Sequence, residues 1–174
     1  MARTRITPTG REAPFGEEEL IVSKTDPKGR IVYANDVFLR VAKFSAAEVL
    51  GQPHSIIRHP EMPRCVFKLF WDTLERGEEF FGYVLNMAAD GDHYWVFAHA
   101  TPTRDARGRV VGYHSNRRKP DAAQVAKVWP VYQQLLRIEQ AAADRKQGMQ
   151  QGTAALQELL AKQGTSYERF VFSL

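Results

Sequence analysis

The sequence predicts an α+β fold, a five-stranded antiparallel sheet with short helices on one face, followed by C-terminal helices. Three observations lead there. Two short apolar runs, 20–25 and 30–34, flank Asp26-Pro27-Lys28-Gly29, a turn in which Pro presets one dihedral and Gly supplies a positive one. Three further strand-like runs, 80–87, 93–102 and 109–117, are separated by turns at Asp90-Gly91 and at 105–108. Between the two groups lie short segments carrying helix start and stop signals.

In chain order, residues 1–17 mix Arg, Thr, Pro, Gly and Glu without periodicity and read as a flexible arm. After the first hairpin, Asn35 or Asp36 can cap a helix over 37–42. Ser45 and Glu48 form a capping box for a second short helix that Gly51 closes. Pro63 suits the first position of a longer helix running to Arg76, on which Val66, Phe67, Phe70, Trp71 and Leu74 recur at helical spacing. Gly77 stops it. Beyond Pro120 the composition turns to Ala, Gln, Leu and Lys, a helical extension in which Pro130 should kink the chain near Trp129. Gly148 and Gly152 should break it, and Thr153 should cap a last helix through Lys162. The apolar tail 167–174 should either dock or meet a partner. The expected organisation is an arm at 1–17, a domain at 18–119 and a helical extension at 120–174.

The chain has 174 residues, enough for one domain with its own core, and a net charge of +4. No run of eighteen apolar residues exists, so no membrane span is expected, and the N-terminus lacks the apolar stretch of a secretory signal. A single cysteine, Cys65, fits a reducing cytoplasm. The basic residues Arg3, Arg5, Arg11, Arg117, Arg118 and Lys119 form no stripe, so they read as solvated surface and not as a nucleic-acid site. The histidine spacings do not suit a metal site, and Cys65 reads as a small buried hydrophobe. Phosphate loops and nucleophile elbows are absent from the sequence, so an enzyme is not expected.

What remains is the segment Gln52–Pro63, Q-P-H-S-I-I-R-H-P-E-M-P. It places two histidines, an arginine and a glutamate between prolines, with few apolar residues to repay its ordering. Such a loop suits a polar ligand. Aromatics crowd the middle third, and some of them could line a slot for a planar group, with Asn35, Asn86 and the loop cations to orient it.

These residues resemble a PAS domain, and specifically the flavin-binding PAS domain of the Aer-type aerotaxis receptors. The matching segments are Y-A-N-D at 33–36, G-Q-P-H at 51–54, R-H-P-E-M-P at 58–63, F-x-x-x-W at 67–71 and G-D-H-Y-W-V at 91–96. The resemblance runs from about 18 to about 135. It implies noncovalent FAD whose redox state is the signal, with contacts from Asn35, His54, Arg58, His59, Glu61, Phe67, Trp71 and Asn86. The chemistry is compatible: Arg58 offers a planar fork of donors for a pyrophosphate, and Asn86 offers both a donor and an acceptor to a ring edge. The chain departs from the family in having Glu61 where Asp is usual and Phe80 where Trp is common. It also shows no membrane anchor or methyl-accepting segment before Leu174. The resemblance therefore implies a cytoplasmic stand-alone sensor whose partner is a chemoreceptor or other signalling protein, or a second copy in a homodimer. The alternatives are a haem sensor ligated by His54 or His59, and a cofactor-free interaction module. A cysteinyl-flavin photosensor is not expected, because Cys65 falls inside the helix after the loop.

Overall fold

The computed structural model describes residues 6–174. The first hairpin forms as expected, β1 (Ile21–Thr25) against β2 (Ile31–Ala34). Gly29 takes φ 75°, and the Asp26 carboxylate accepts the Lys28 and Arg30 amides at 2.9 Å each. Next come α1 (Asp36–Ala42), α2 (Ala46–Val49), a single 3-10 turn over His54–Ile57 and α3 (Arg64–Glu75). Three long strands follow, β3 (Phe80–Met87), β4 (His93–Arg104) and β5 (Val110–Arg118). The sheet order is β2-β1-β5-β4-β3, antiparallel throughout. The non-local step is β1 against β5, which joins the N-terminal hairpin to the three-strand meander across about ninety residues of chain.

Alternation divides the sheet. On one face Val84, Ala98, Ala100 and Tyr113 look toward α3 and the 52–63 loop. On the other, Trp95 meets Trp129 and Tyr132 of α4 (Ala122–Ala141). Last come α5 (Arg145–Lys162) and α6 (Tyr167–Phe172). The tail question is settled by burial: Tyr167, Phe170 and Val171 pack into the core, and α6 lies along β3. There the Tyr83 hydroxyl donates to the Val171 carbonyl at 3.3 Å. β3 is an edge strand, and α6 packs beside it through Phe80 and Phe81.

Several expectations need correction. The arm is not loose where it is described. The Thr9 and Ala13 amides donate to the Gly91 and His93 carbonyls, and Ala13 and Phe15 are buried. Residues 1–5 of that arm lie outside the described residues. α4 runs unbroken through Pro130, so the proline does not restart it. Gly148 and Gly152 do not break the following helix. The break falls at 142–144, and Asp144 caps α5 by accepting the Lys146 and Gln147 amides. Thr153 is inside α5, its hydroxyl bonded to the Met149 carbonyl.

The glycines persist inside a helix for a packing reason. A Cβ on Gly148 would stand 2.3 Å from the Glu139 carbonyl oxygen of α4, and one on Gly152 2.8 Å from the Glu139 carboxylate. Glycine lets the two helices approach this closely. Gly148→Ala should therefore destabilise the protein by about 2 kcal/mol through overpacking, although helix propensity alone favours Ala by about 1 kcal/mol. Urea denaturation measures the difference, and a gain in stability would contradict the close approach.

Candidate functional site

A cavity of about 360 Å³ lies between α3, the 52–63 loop and the inner face of the sheet. That is within the usual range for a small-molecule site. Its walls are of two kinds. Phe67, Phe70 and Trp71 of α3, with Tyr113 of β5, form an aromatic side. Spacing on α3 explains this, since residues three and four apart share a face. The polar side is built from His54, Arg58, Asn86, Ser23, Ser115 and Arg117.

Of the residues singled out in the sequence, His54, Arg58, Phe67, Trp71 and Asn86 come together on this wall. Asn35, His59 and Glu61 stand outside it. Asn35 is committed to architecture: its carboxamide oxygen accepts the Val22 and Phe38 amides at 3.0 Å each, and its nitrogen donates to the Leu20 carbonyl at 2.8 Å. It thus caps α1 and ties that helix to β1. His59 is buried, with Nδ1 accepting the Glu61 amide at 3.2 Å and its ring edge-on to His93. Glu61 is exposed. Among the described residues no group of three or more His, Cys, Asp or Glu side chains is arranged to hold a metal.

The residue the sequence reading missed is Arg117, assigned there to solvated surface. It is 3% exposed and points inward. The signal was present in β5, where Tyr113, Ser115 and Arg117 alternate onto one face. Nη2 of Arg117 donates to His54 Nε2 at 2.9 Å and also to the Ser23 hydroxyl, and Nε donates to the Ser115 hydroxyl at 3.2 Å. Nη1 is buried without a partner, as are Arg58 Nε and the Thr25 hydroxyl. Arg58 lies over the Phe67 ring, 3.6 Å from its centroid.

Charge in the cavity has one sign. Among the described lining residues there is no Asp or Glu. Burial pushes the Arg58 and Arg117 pKa values down to about 10, which leaves both cationic at neutral pH. Arg117 is a buried cation with no carboxylate lining the cavity, Arg58 is half-buried with Glu139 as its acidic neighbour, and buried donors left without partners are better satisfied by an anion. The site therefore suits a planar ligand that carries negative charge.

His54 is shifted in the same direction, and for an imidazole that means it stays neutral. Burial first, then the Arg117 and Arg58 charges, hold its pKa well below 6.5. An arginine can only donate, so Nε2 of His54 is an acceptor and the ring proton sits on Nδ1. As the pH falls below 6.5, the unfolded chain binds a proton at this position that the folded chain refuses, and stability falls. Burial lowers the His59 pKa as well, which adds to the effect. The melting temperature should drop as the pH goes from 7 to about 5, at up to about 1.4 kcal/mol of stability per pH unit for each such histidine. His54→Asn should flatten the dependence. A profile in the native chain with no slope over this interval would contradict the assignment.

Cys65 lies on α3 but does not line the cavity. It is buried, and burial together with the nearby Glu139 carboxylate raises its thiol pKa well above the ordinary value. That carboxylate, on α4, accepts the Arg64 amide at 2.9 Å and the Cys65 amide at 2.8 Å. The C-terminal extension thus caps the helix that carries the aromatic wall.

Comparison with known proteins agrees with this architecture. The chain is 39% identical over 127 residues to the aerotaxis receptor of Escherichia coli (strain K12), a match covering 73% of this chain and 25% of the receptor. It is 30% identical over 97 residues to the nitrogen fixation regulatory protein of Klebsiella pneumoniae, covering 56% of this chain and 20% of that protein. The chain thus spans a quarter or less of the length of these curated relatives. Among solved structures, a light-oxygen-voltage domain studied with a flavin analogue superposes with a TM-score of 0.59 at 27% identity, over 64% of this chain and 85% of that one. The dark-state LOV domain of the blue-light photoreceptor Aureochrome1 gives 0.57 at 26% identity, over 63% and 82%. The family described as the PAS fold matches residues 31–117, half of the chain and most of the sheet and cavity wall just described. With that match the β2-β1-β5-β4-β3 sheet and its enclosed cavity have their explanation: this chain belongs to the PAS-fold family.

Proposed function

We propose that this chain is a cytoplasmic sensor domain that holds FAD noncovalently in the cavity and signals the redox state of that group to a chemoreceptor or other signalling protein. The observation that carries the reading is a cavity with an aromatic side and two guanidiniums, lined by no carboxylate. Phe67, Phe70 and Trp71 suit a flat heteroaromatic ring, and Arg58 and Arg117 suit negative charge at its edge and on a phosphate. Asn86 has a donor and an acceptor to offer. When bound, a flavin supplies reversible electron uptake, which none of the lining side chains provides. The aerotaxis and nitrogen-fixation relatives, and the related LOV domain studied with a flavin analogue, support the same choice.

Transmission fits a single strand. Asn86 looks into the cavity from β3, and its backbone bridges to Arg58. Three residues earlier the Tyr83 carbonyl accepts the Tyr132 hydroxyl of α4 at 2.8 Å, and the Tyr83 hydroxyl reaches α6. A displacement of Asn86 therefore biases the packing of both C-terminal helices. This is a two-state switch for a partner to read, not catalysis. A homodimer belongs to the same proposal, and sedimentation of the loaded chain checks it.

The haem reading is less well supported. His54 Nε2, the atom that would ligate iron, has a guanidinium nitrogen 2.9 Å away, and His59 stands outside the cavity. Absorbance of the protein as isolated decides between them. Flavin bands, with recovery of FAD by the stripped chain, are expected. A Soret band, or a colourless chain that takes up no FAD, would overturn the proposal.

A further inference from the structure

Arg117 divides its three nitrogens unevenly. Nε donates to Ser115, and Nη2 donates to His54 and Ser23, all of which line the cavity. Nη1 is buried and has no acceptor. Among the described residues no carboxylate bonds to this guanidinium, although its side chain is 3% exposed.

Tyr94 is left in the same condition. It sits on β4 opposite Asn86 of β3, it is fully buried, and its hydroxyl has no partner. Tyr94 and Arg117 lie close enough for each to act on the other's charge. Tyr94 does not line the cavity, so a ligand confined there meets Arg117 but not Tyr94. Thr25 and Arg58, the other buried groups with orphaned atoms, do line it. Buried aromatic rings flank the pair. The Phe38 ring centroid is 5.5 Å from the guanidinium carbon of Arg117, and Phe15 of the arm stands edge-on to Tyr94 at 6.4 Å.

Arg117 can only donate, and the Tyr94 hydroxyl has a proton to give, so the missing partner is an acceptor. Tyr94 does not supply the counter-charge itself, because burial raises its pKa and keeps the phenol neutral. A water molecule would accept both hydrogen bonds and leave the cation uncompensated, which is costly away from solvent. A small anion supplies both hydrogen bonds and the charge. Two donors suit a monatomic ion, whereas the several oxygens of a phosphate would call for more.

We propose that Arg117 Nη1 and the Tyr94 hydroxyl hold one small inorganic anion of the halide class. The site is independent of the flavin reading and stands whether or not the cavity is filled.

Thermal melts of the full chain in sodium chloride and in sodium gluconate at equal ionic strength test this. Above the dissociation constant, each tenfold rise in chloride should raise the melting temperature by about 3–5 °C, the effect of one ligand bound to the folded state alone. Tyr94→Phe should abolish the chloride-specific rise while leaving stability in gluconate unchanged or higher, because it deletes an orphaned hydroxyl. Crystals of the full chain grown in sodium bromide should show an anomalous peak between Nη1 and the Tyr94 hydroxyl. A parent chain that melts at the same temperature in both salts overturns the proposal. So does a chloride response shared equally by Tyr94→Phe, or a bromide crystal with water or nothing at that position.

Discussion

Replacing Arg117 with Met should leave the ligand-free protein as stable as before, or more so, while weakening flavin binding by at least about thirtyfold. The two effects part because the residue is a buried cation without a carboxylate partner. In the empty site its charge has lost hydration and gained two hydroxyls, a neutral imidazole and the face of Phe38. An apolar side chain of similar volume relieves that cost. With the proposed flavin bound, the same charge would face an anionic edge, and truncating such a pair costs about 2–5 kcal/mol. Melting curves of stripped protein and titrations with FAD read the two quantities separately. Arg117→Lys should recover part of the affinity, since it keeps the charge and loses the fork. If Arg117→Met lowers stability and leaves affinity alone, the guanidinium is a structural brace and the electrostatic account of the cavity is wrong.

The second large effect is expected at Glu139→Ala. The Glu139 carboxylate satisfies two amides at the start of α3, where a helix has no internal acceptors to offer. Hydrogen bonds to a charged group are worth about 1.5–3 kcal/mol each, and the site is buried. A loss of about 3 kcal/mol is expected, which for a chain of this size lowers the melting temperature by about 6–12 °C. Glu139→Gln should cost roughly half as much, because the amide can accept one N–H but turns its own NH2 toward the other. Circular dichroism melts settle the matter. A melting temperature for Glu139→Ala within a degree of the parent would mean that water caps α3 unaided. Since Phe67, Phe70 and Trp71 ride on the same helix, both variants should also loosen the grip on the ring.

The local grammar of this fold was readable from the sequence, and its long-range arrangement was not. Turns at 26–29 and 90–91, the capping box at Ser45 and the start of α3 near Pro63 follow from dihedral preferences of single residues, and all appear. Sheet order depends on β1 meeting β5, which no local pattern encodes. Gly148 and Gly152 misled because helix propensity describes an isolated helix, whereas their reason is the backbone of α4 a few ångströms away. Half of the site was legible for the same reason the turns were. Phe67 and Trp71 share a helical face, and the loop carrying His54 and Arg58 is too polar to be a core segment. Asn35 was ambiguous because the same amide that can contact a ligand can cap a helix, and here it caps. Arg117 was overlooked because an arginine at a strand end is usually solvated.

The burial of Cys65 decides how that thiol meets oxidants. It is the chain's one cysteine, and only a thiolate reacts readily with peroxide or exchanges with a disulfide. Sealed beneath α4 with a carboxylate beside it, this sulfur stays protonated and out of reach. Sulfenic acid formation and glutathionylation are thereby denied to the folded protein. Mild oxidants should leave the mass at Cys65 unchanged while the chain is folded, and modification there should report unfolding.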